Sequence, residues 1–366
     1  MGSLVMSRLG RPVVGIDLRR NAWAPQYGIS RYARNLLIAM HALAPPDLDV
    51  VPIDIAGSGV WDPGPVLRTR PRHSMTARML QEQVDMRRMR RRLDLIHLPW
   101  YEGPLMPATP HVVSVLDLDT IDGRATYNWR FRAYYNTLLR AYLRTARIII
   151  TPSQATTDAL RERWPRPRYV TVPLGVDPIF SPDREPLRIA GEQRVVLYTG
   201  GYGPRKRIDD LLTAFGHIAK AHGDVDLVLS GAAPVEFLDA IARSSHPDRV
   251  HVTGYLTDAQ MADLYVRASV VLYPTTLEGF GFPVVEAFAS GTPVVATSVG
   301  SIPEIAGDVA WLVPMGDAQA LTTAALTVLE DEAAAARMRA AGLARALTFD
   351  WASTAALTLD AYRAAM

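Results

Sequence analysis

The stretch that decides the fold runs from Glu278 to Glu286 and reads EGFGFPVVE. It follows the apolar run Ala268–Pro274, so the pattern predicts a buried strand, a glycine turn and then a helix. Glycine permits close backbone approach, and Pro283 suits the first helical position because its missing N–H would have no partner there. The free N–H groups and the dipole at such a helix start predict an anion site, with a carboxylate on either side.

Two carboxylates beside a phosphate-binding turn suit a ligand with both hydroxyls and phosphates, because carboxylates accept hydrogen bonds from hydroxyls. The stretch resembles the E-x7-E motif of the retaining glycosyltransferases of family 4, which have the GT-B fold. The residues between the two acids follow the family pattern, as do the continuations 289–296 and 300–304. An ordinary strand–turn–helix with two solvated glutamates is the alternative, which so long a match disfavours.

Bulk composition excludes several other classes of protein. The chain has 366 residues, 49% of them hydrophobic, and a formal net charge of +2, which is typical of a soluble protein with room for two domains. The small net charge argues against a nucleic-acid-binding protein. The absence of cysteine excludes disulfides, thiolate catalysis and cysteine-ligated zinc. No apolar run predicts a membrane helix or a signal peptide, so we expect a cytoplasmic protein.

Short apolar runs alternate with helical patterns, which predicts an α/β fold with parallel sheets. The resemblance implies GT-B, with two doubly wound, Rossmann-like domains facing a cleft. Five candidate strands lie in the first half of the chain and six in the second. They are 13–16, 50–53, 93–97, 111–115, 147–150, 195–198, 227–229, 250–252, 270–272, 294–296 and 311–313.

The segment Pro173–Pro182 carries the signals of an exposed connector, since it contains several prolines and a glycine. It also resembles the family's interdomain segment. We therefore expect an N-terminal acceptor-side domain over residues 1–175 and a C-terminal nucleotide-sugar-binding domain over residues 176–348. Residues 349–366 predict a last helix, which the resemblance implies crosses back to the N-terminal domain.

A second motif, Leu197–Arg207, reads LYTGGYGPRKR and predicts a strand that enters a glycine loop before a helix. Arginine binds phosphate with a fork and lysine acts as a point charge. The motif resembles the family segment that binds the donor diphosphate, which assigns Lys206 and Arg205 catalytic roles. It departs at Gly201, where many members carry arginine. A capped helix with surface cations is the alternative.

The resemblance also assigns the donor contacts. Glu278 would bind sugar hydroxyls and Glu286 the nucleotide ribose. The other implied contacts are loop and turn positions: Gly28, Gly200, Gly201, Tyr255, Leu256, Gly279, Phe280, Gly281 and Phe282. Thr257 is equally well explained as an N-cap, and Arg31 with Asn35 as solvated polar groups on a helix face.

Leu116 stands where many members of the family carry a histidine that touches the donor sugar, although the neighbouring Asp117 is kept as a catalytic candidate. Leucine cannot hydrogen-bond a hydroxyl. Three interpretations stay open: a different donor, such as a deoxy sugar whose methyl group contacts leucine; a polar contact from Asp119 or His97; or weak or absent activity.

The string Asp117–Asp119 also spells D-x-D, a metal motif of GT-A enzymes, but three residues recur by chance. We expect no metal and no cofactor beyond the nucleotide-diphosphate-sugar substrate, and no covalent nucleophile stands out. A nucleotide-sugar-binding protein without transfer is the first alternative. A dehydrogenase is the second, but Gly200–Gly203 lacks the dinucleotide spacing and a clear ribose-binding acid, although Asp224 and Asp226 come near.

The acceptor is left open as an oligosaccharide, a lipid-linked saccharide or a small molecule. An arginine-rich region suggests peripheral contact with the inner face of the membrane, with a solvated helical face as the alternative. Its arginines are Arg68, Arg70, Arg72, Arg78, Arg87, Arg88, Arg90, Arg91 and Arg92.

Overall fold

The computed structural model describes residues 10–22, 28–55, 67–69, 84, 92–100, 109–122, 129–185 and 193–366. It divides into two compact units. The first comprises Met1–Gly175 together with Trp351–Met366, and the second comprises Val176–Asp350. Each unit contains one parallel sheet, so the prediction of two doubly wound α/β domains is confirmed.

The first unit has a seven-stranded sheet. Its strands are β1 (Val13–Asp17), β2 (Asp49–Ile55), β3 (Leu67–Thr69), β4 (Leu95–Leu98), β5 (His111–Ser114), β6 (Ile148–Thr151) and β7 (Tyr169–Thr171), in the order β3-β2-β1-β4-β5-β6-β7. The helices described there are a 3₁₀ turn (Arg19–Ala22), α1 (Gly28–Leu43), α2 (Asp119–Asp122), α3 (Trp129–Thr145) and α4 (Gln154–Arg163).

The second unit has a six-stranded sheet. Its strands are β8 (Arg194–Tyr198), β9 (Val225–Leu229), β10 (Val250–Val252), β11 (Val270–Tyr273), β12 (Val294–Thr297) and β13 (Trp311–Val313), in the order β10-β9-β8-β11-β12-β13. Its α-helices are α5 (Ile208–Ala221), α6 (Val235–Ala242), α7 (Asp258–Arg267), α8 (Phe282–Ala289), α9 (Ile302–Ala306), α10 (Ala318–Glu330) and α11 (Glu332–Ala346). The last helix of the chain, α12 (Trp351–Ala365), belongs to the first unit.

All eleven strands expected from apolar runs are present, and two others were missed. The eleven were recognisable because parallel strands are covered on both faces and therefore read as continuous apolar runs. β6 and β11 show this directly, since every residue of each is buried. The missed strands, β3 and β7, are three residues long and lie at the two edges of the first sheet. Edge strands are often short, and three residues leave little pattern to detect.

The helix α12 packs against α1 and contributes Tyr362 to a buried hydrogen-bond network. Nδ1 of the fully buried His97 lies 2.6 Å from the Tyr362 hydroxyl, and Nε2 lies 2.8 Å from Ser114 Oγ. Ser114 Oγ in turn lies 2.8 Å from the Tyr32 hydroxyl. Both ring nitrogens are thus used within the core, so the suggestion that His97 contacts the donor sugar is wrong.

Burial lowers the pKa of His97 from 6.5 to about 3. Below pH 6.5 His97 becomes protonated in the unfolded chain but stays neutral in the folded chain. Its contribution to the free energy of unfolding is therefore fully present above pH 6.5 and is lost as the pH falls toward 3. We expect His97 to lower the free energy of unfolding by about 2 kcal/mol as the pH falls from 6.5 to 5. Urea denaturation of the wild type and His97→Gln across that range measures it.

The substitution should flatten the pH dependence of the unfolding free energy. His217→Gln is the matched control, because His217 is exposed on α5 and its removal should leave the wild-type slope. Equal slopes in the wild type and His97→Gln would contradict the assignment.

Candidate active site

The candidate site lies in the second unit, where the strand order reverses between the paired strands β8 and β11. The loop after β8 carries the glycine motif, and the loop after β11 leads to Glu278. In open parallel sheets, ligands bind outside the carboxyl ends of the strands at such a reversal. Lys206 and Glu278, which are 72 residues apart in sequence, therefore lie at the place where this fold binds ligands.

The glycine loop after β8 leaves space for the cations that follow it. Gly200 and Gly201 have φ of +129° and +81°, which side chains rarely adopt. A Cβ at Gly200 would lie 2.9 Å from Tyr273 Cε2 and 3.4 Å from Lys206 Nζ. The chain then forms a 3₁₀ turn over Pro204–Lys206 before α5 begins at Ile208.

Four donors converge on one carboxylate oxygen, Glu278 Oε1. Lys206 Nζ forms an ion pair with it, and Arg205 Nη1 donates from 2.8 Å. The Tyr273 hydroxyl donates from 2.8 Å, and Thr275 Oγ1 from 3.2 Å. None of these four hydrogen bonds reaches Oε2. The predicted cations and acid therefore form one cluster, in which Lys206 is buried, with 4% of its surface exposed.

The cluster keeps Glu278 ionised although its side chain is only 10% exposed. Burial alone would raise the pKa of this carboxyl. The charges of Lys206 and Arg205, with hydrogen bonds from Lys206 and Tyr273, outweigh burial and lower the pKa to about 2. Burial also raises the pKa of Tyr273 well above its usual value, so its hydroxyl stays a neutral donor.

The loop between β12 and α9 fixes the backbone of Glu278. Ser301 donates its N–H to Glu278 O over 3.1 Å, and its buried hydroxyl lies 2.9 Å from Phe280 O. Gly300 has φ of +52°, and a Cβ there would lie 2.5 Å from Glu278 O. Sequence analysis assigned no role to Gly300 or Ser301, although both lie in the continuation of the motif.

The turn before α8 has the expected form. Gly281 caps the helix with φ of +97°, and Pro283 lies within the first turn, one residue after the first helical position. Glu286 is buried within α8 and accepts a hydrogen bond from the Tyr265 hydroxyl over 3.0 Å. Because Glu286 is buried and the side chain of Glu278 is only 10% exposed, the alternative of two solvated glutamates is wrong.

The remaining predicted residues are more dispersed. Tyr255 is 75% exposed beside Leu256, between β10 and α7. Thr257 caps α7 in a capping box with Gln260, so capping explains this threonine fully.

In the first unit, Gly28 begins α1, and Leu116 is buried just after β5. Asp117 follows it, with Oδ1 accepting the N–H of Asp119 over 3.1 Å. Asn35 on α1 is buried, so it is not the solvated polar group considered above. Of the arginine-rich region, Arg70 to Arg91 lie outside the described residues. In the described part of the chain, no helix is both long and apolar enough to cross a membrane.

Lys206 also has a compositional signal that motif comparison overlooks. The chain has 39 lysines and arginines, but only Lys206 and Lys220 are lysines. Almost all basic residues of the chain are arginines, yet the buried basic residue of the cluster is a lysine. The compact ammonium fits there beside Tyr273, whose ring centre lies 4.9 Å from Nζ.

Comparisons with known proteins identify the family of the chain. The family model described as Glycosyltransferase Family 4 matches residues 27–180, and that described as Glycosyl transferases group 1 matches residues 180–345. The chain belongs to glycosyltransferase family 4. The two matches meet at residue 180 and together span most of the chain.

Several curated relatives are mannosyltransferases. This family 4 member is 30% identical over 244 residues to O-antigen chain mannosyltransferase B of Escherichia coli, covering 63% of this chain and 64% of that protein. It is 33% identical to the MMP alpha-(1->4)-mannosyltransferase of Mycolicibacterium hassiacum, covering 60% of this chain and 54% of that protein. The matched region thus spans between about half and two thirds of these relatives' length.

Solved structures establish the fold. Sucrose-phosphate synthase from Thermosynechococcus elongatus matches with a TM-score of 0.76 and 21% identity, covering 96% of this chain and 98% of that one. HepE of Anabaena, solved with UDP-glucose, matches with a TM-score of 0.74 and 17% identity, covering 96% and 99%. The glycosyltransferase WaaG matches with a TM-score of 0.74 and 16% identity, covering 95% and 99%. The predicted GT-B fold is therefore confirmed.

Gly300→Ala should destabilise the second unit, because its Cβ would collide with the Glu278 carbonyl and its φ is unfavourable for alanine. We expect a loss of roughly 2 kcal/mol or more, which lowers the melting temperature by about 5 °C. Gly223→Ala is the control, because a Cβ there meets nothing within 4 Å and its φ lies outside the positive range. Equal melting temperatures for the two variants would show that the backbone at Glu278 is not tightly held.

Proposed function

We propose that this protein transfers a sugar from a nucleotide-diphosphate-sugar to an acceptor hydroxyl, with retention at the anomeric carbon and without a metal. The observation that carries the proposal is the cluster of Arg205, buried Lys206 and ionised Glu278 at the reversal of a Rossmann-type sheet. Fixed cations at a point of developing negative charge are usually the largest catalytic contribution.

In this mechanism the bond between the anomeric carbon and the diphosphate oxygen breaks as the acceptor oxygen bonds to the same face of the sugar. The acceptor proton passes to a diphosphate oxygen. Lys206, Arg205 and the N-terminus of α8 stabilise the charge on the departing diphosphate. These positive groups do the neutralising work that a divalent cation does in metal-dependent transferases.

The carboxylates orient the donor. Oε1 of Glu278 is engaged by the cluster, whereas Oε2 receives none of its four hydrogen bonds. We assign Oε2 to a sugar hydroxyl, since an ionised carboxylate is an acceptor only. Glu286 is assigned to the ribose, with Tyr265 orienting it. The roles of Gly28, Asp117, Tyr255 and Leu256 rest on the family resemblance.

The relatives suggest the substrate classes. Several are named mannosyltransferases, one of them a phosphatidyl-myo-inositol mannosyltransferase of Mycobacterium leprae, and HepE was solved with UDP-glucose. We propose a hexosyl-type donor and an oligosaccharide or lipid-linked acceptor. A cytoplasmic enzyme with peripheral contact at the inner face of the membrane would suit a lipid-linked acceptor.

Binding of one nucleoside diphosphate should raise the melting temperature by mass action. We expect this shift in a screen of UDP, GDP, ADP, dTDP and NAD, and we expect Lys206→Ala to abolish it because the variant loses the cation that meets the diphosphate. Lys220→Ala is the matched control, since Lys220 is the chain's other lysine and is exposed at the end of α5. No shift with any nucleotide in a folded sample would refute the donor site.

Leu116→His tests the donor sugar. If the buried leucine contacts a deoxy position, histidine should shift preference in a donor panel toward the hydroxylated sugar, because it can hydrogen-bond the added hydroxyl. Leu118→His controls for placing histidine in this buried segment, since Leu118 is also buried. A donor profile unchanged by Leu116→His would exclude a deoxy-sugar contact at this position.

A further inference from the structure

Half of the positive charge of the cluster is neutralised before any ligand binds. Arg205 and Lys206 together carry two positive charges, and the carboxylate of Glu278 neutralises one of them through Oε1. A nucleoside diphosphate would therefore meet a single net positive charge at this point. The carboxylate occupies positions on the cations that diphosphate oxygens would otherwise use, because an ammonium and a guanidinium offer a fixed set of donors.

The carboxylate is also prevented from moving away. The neutral donors Tyr273 and Thr275 also bind Oε1, and the Tyr273 hydroxyl is itself held by a hydrogen bond from Lys206 Nζ over 2.8 Å. Ser301 holds the backbone carbonyl of the same residue, and Gly300 packs against it. Arriving diphosphate consequently cannot displace Glu278 by a simple rotation of a free side chain, and the negative charge stays beside the phosphate.

We infer that Glu278 is a built-in competitor of the nucleoside diphosphate, which weakens binding of the product so that it leaves after transfer. The inference rests on the proposed function and adds a second role to the residue that orients the sugar. In the donor, the cost of placing this carboxylate beside the diphosphate is offset by the sugar hydroxyl that Oε2 accepts. In the product the sugar is gone, and nothing offsets the repulsion between Glu278 and the diphosphate.

This arrangement would favour turnover. Product release limits the rate of many transferases that close around their substrates, and differences in affinity among related complexes lie mostly in the dissociation rate. A fixed carboxylate beside two cations weakens binding of the product, while the cations that stabilise the departing diphosphate stay in place. The same carboxylate therefore serves sugar orientation and product release.

Glu278→Gln tests the inference, because glutamine keeps the shape and removes the negative charge. We expect the dissociation constant of the nucleoside diphosphate that binds the wild type to fall about tenfold, with slower dissociation. Sugar transfer should fall at the same time. Isothermal titration and stopped-flow displacement measure the two effects. Unchanged or weaker product binding in a folded Glu278→Gln protein would overturn the inference.

Glu332→Gln is the matched control. Glu332 is also paired with an arginine, Arg339, over 2.8 Å, but it lies exposed at the start of α11. The substitution changes the net charge of the protein by the same amount, so it should leave product affinity within about twofold of wild type. Equal tightening in both variants would attribute the effect to overall charge and overturn the inference.

A second pair of variants keeps the test decisive if Glu278→Gln fails to fold with Lys206 uncompensated, because both members also remove that buried cation. Lys206→Met should weaken product binding, and Lys206→Met combined with Glu278→Gln should restore part of it, because the net charge of the cluster returns from zero to one. Failure of the second substitution to restore binding would overturn the inference. Absence of nucleotide binding in the wild type would instead refute the proposed function itself.

Discussion

The site depends on one electrostatic constraint, which is that a buried lysine must have a partner. Lys206 has only 4% of its surface exposed, and burying an unpaired charge costs much free energy. Glu278 supplies the anion that pairs with Lys206. The Gly200 turn leaves space for the pair, the Tyr273 hydroxyl binds Lys206, and Ser301 holds the backbone of Glu278. Each surrounding residue either clears space for the pair or fixes one of its members.

The strand order explains why such a pair can form between distant parts of the chain. Lys206 follows β8 and Glu278 follows β11. These strands are neighbours because the strand order of the sheet reverses between them. Since the strands are parallel, both loops emerge at the same edge. The sheet therefore brings two short motifs together without requiring either loop to be long.

Much of this was predictable from the sequence because the signals were local. Buried parallel strands read as apolar runs, and the glycine turn before α8 was marked by Gly281 and Pro283. The support around Glu278 was not predictable, because Tyr273 looks like one more apolar strand residue. The need for glycine at position 300 is visible only in the structure, where Glu278 O lies against it. His97 was misjudged because its partner Tyr362 lies 265 residues away in the sequence.

The position of α12 has a consequence for how the protein is made. The unit that starts the chain is completed by its final residues, since Tyr362 closes the network around His97 and Arg363 pairs with Asp47 on the surface. A ribosome synthesises the first 175 residues before α12, so the first unit lacks this helix until the residues of the second unit have been made. The second unit, whose residues are contiguous, is complete earlier. The residues of the first unit are thus complete only after those of the second unit.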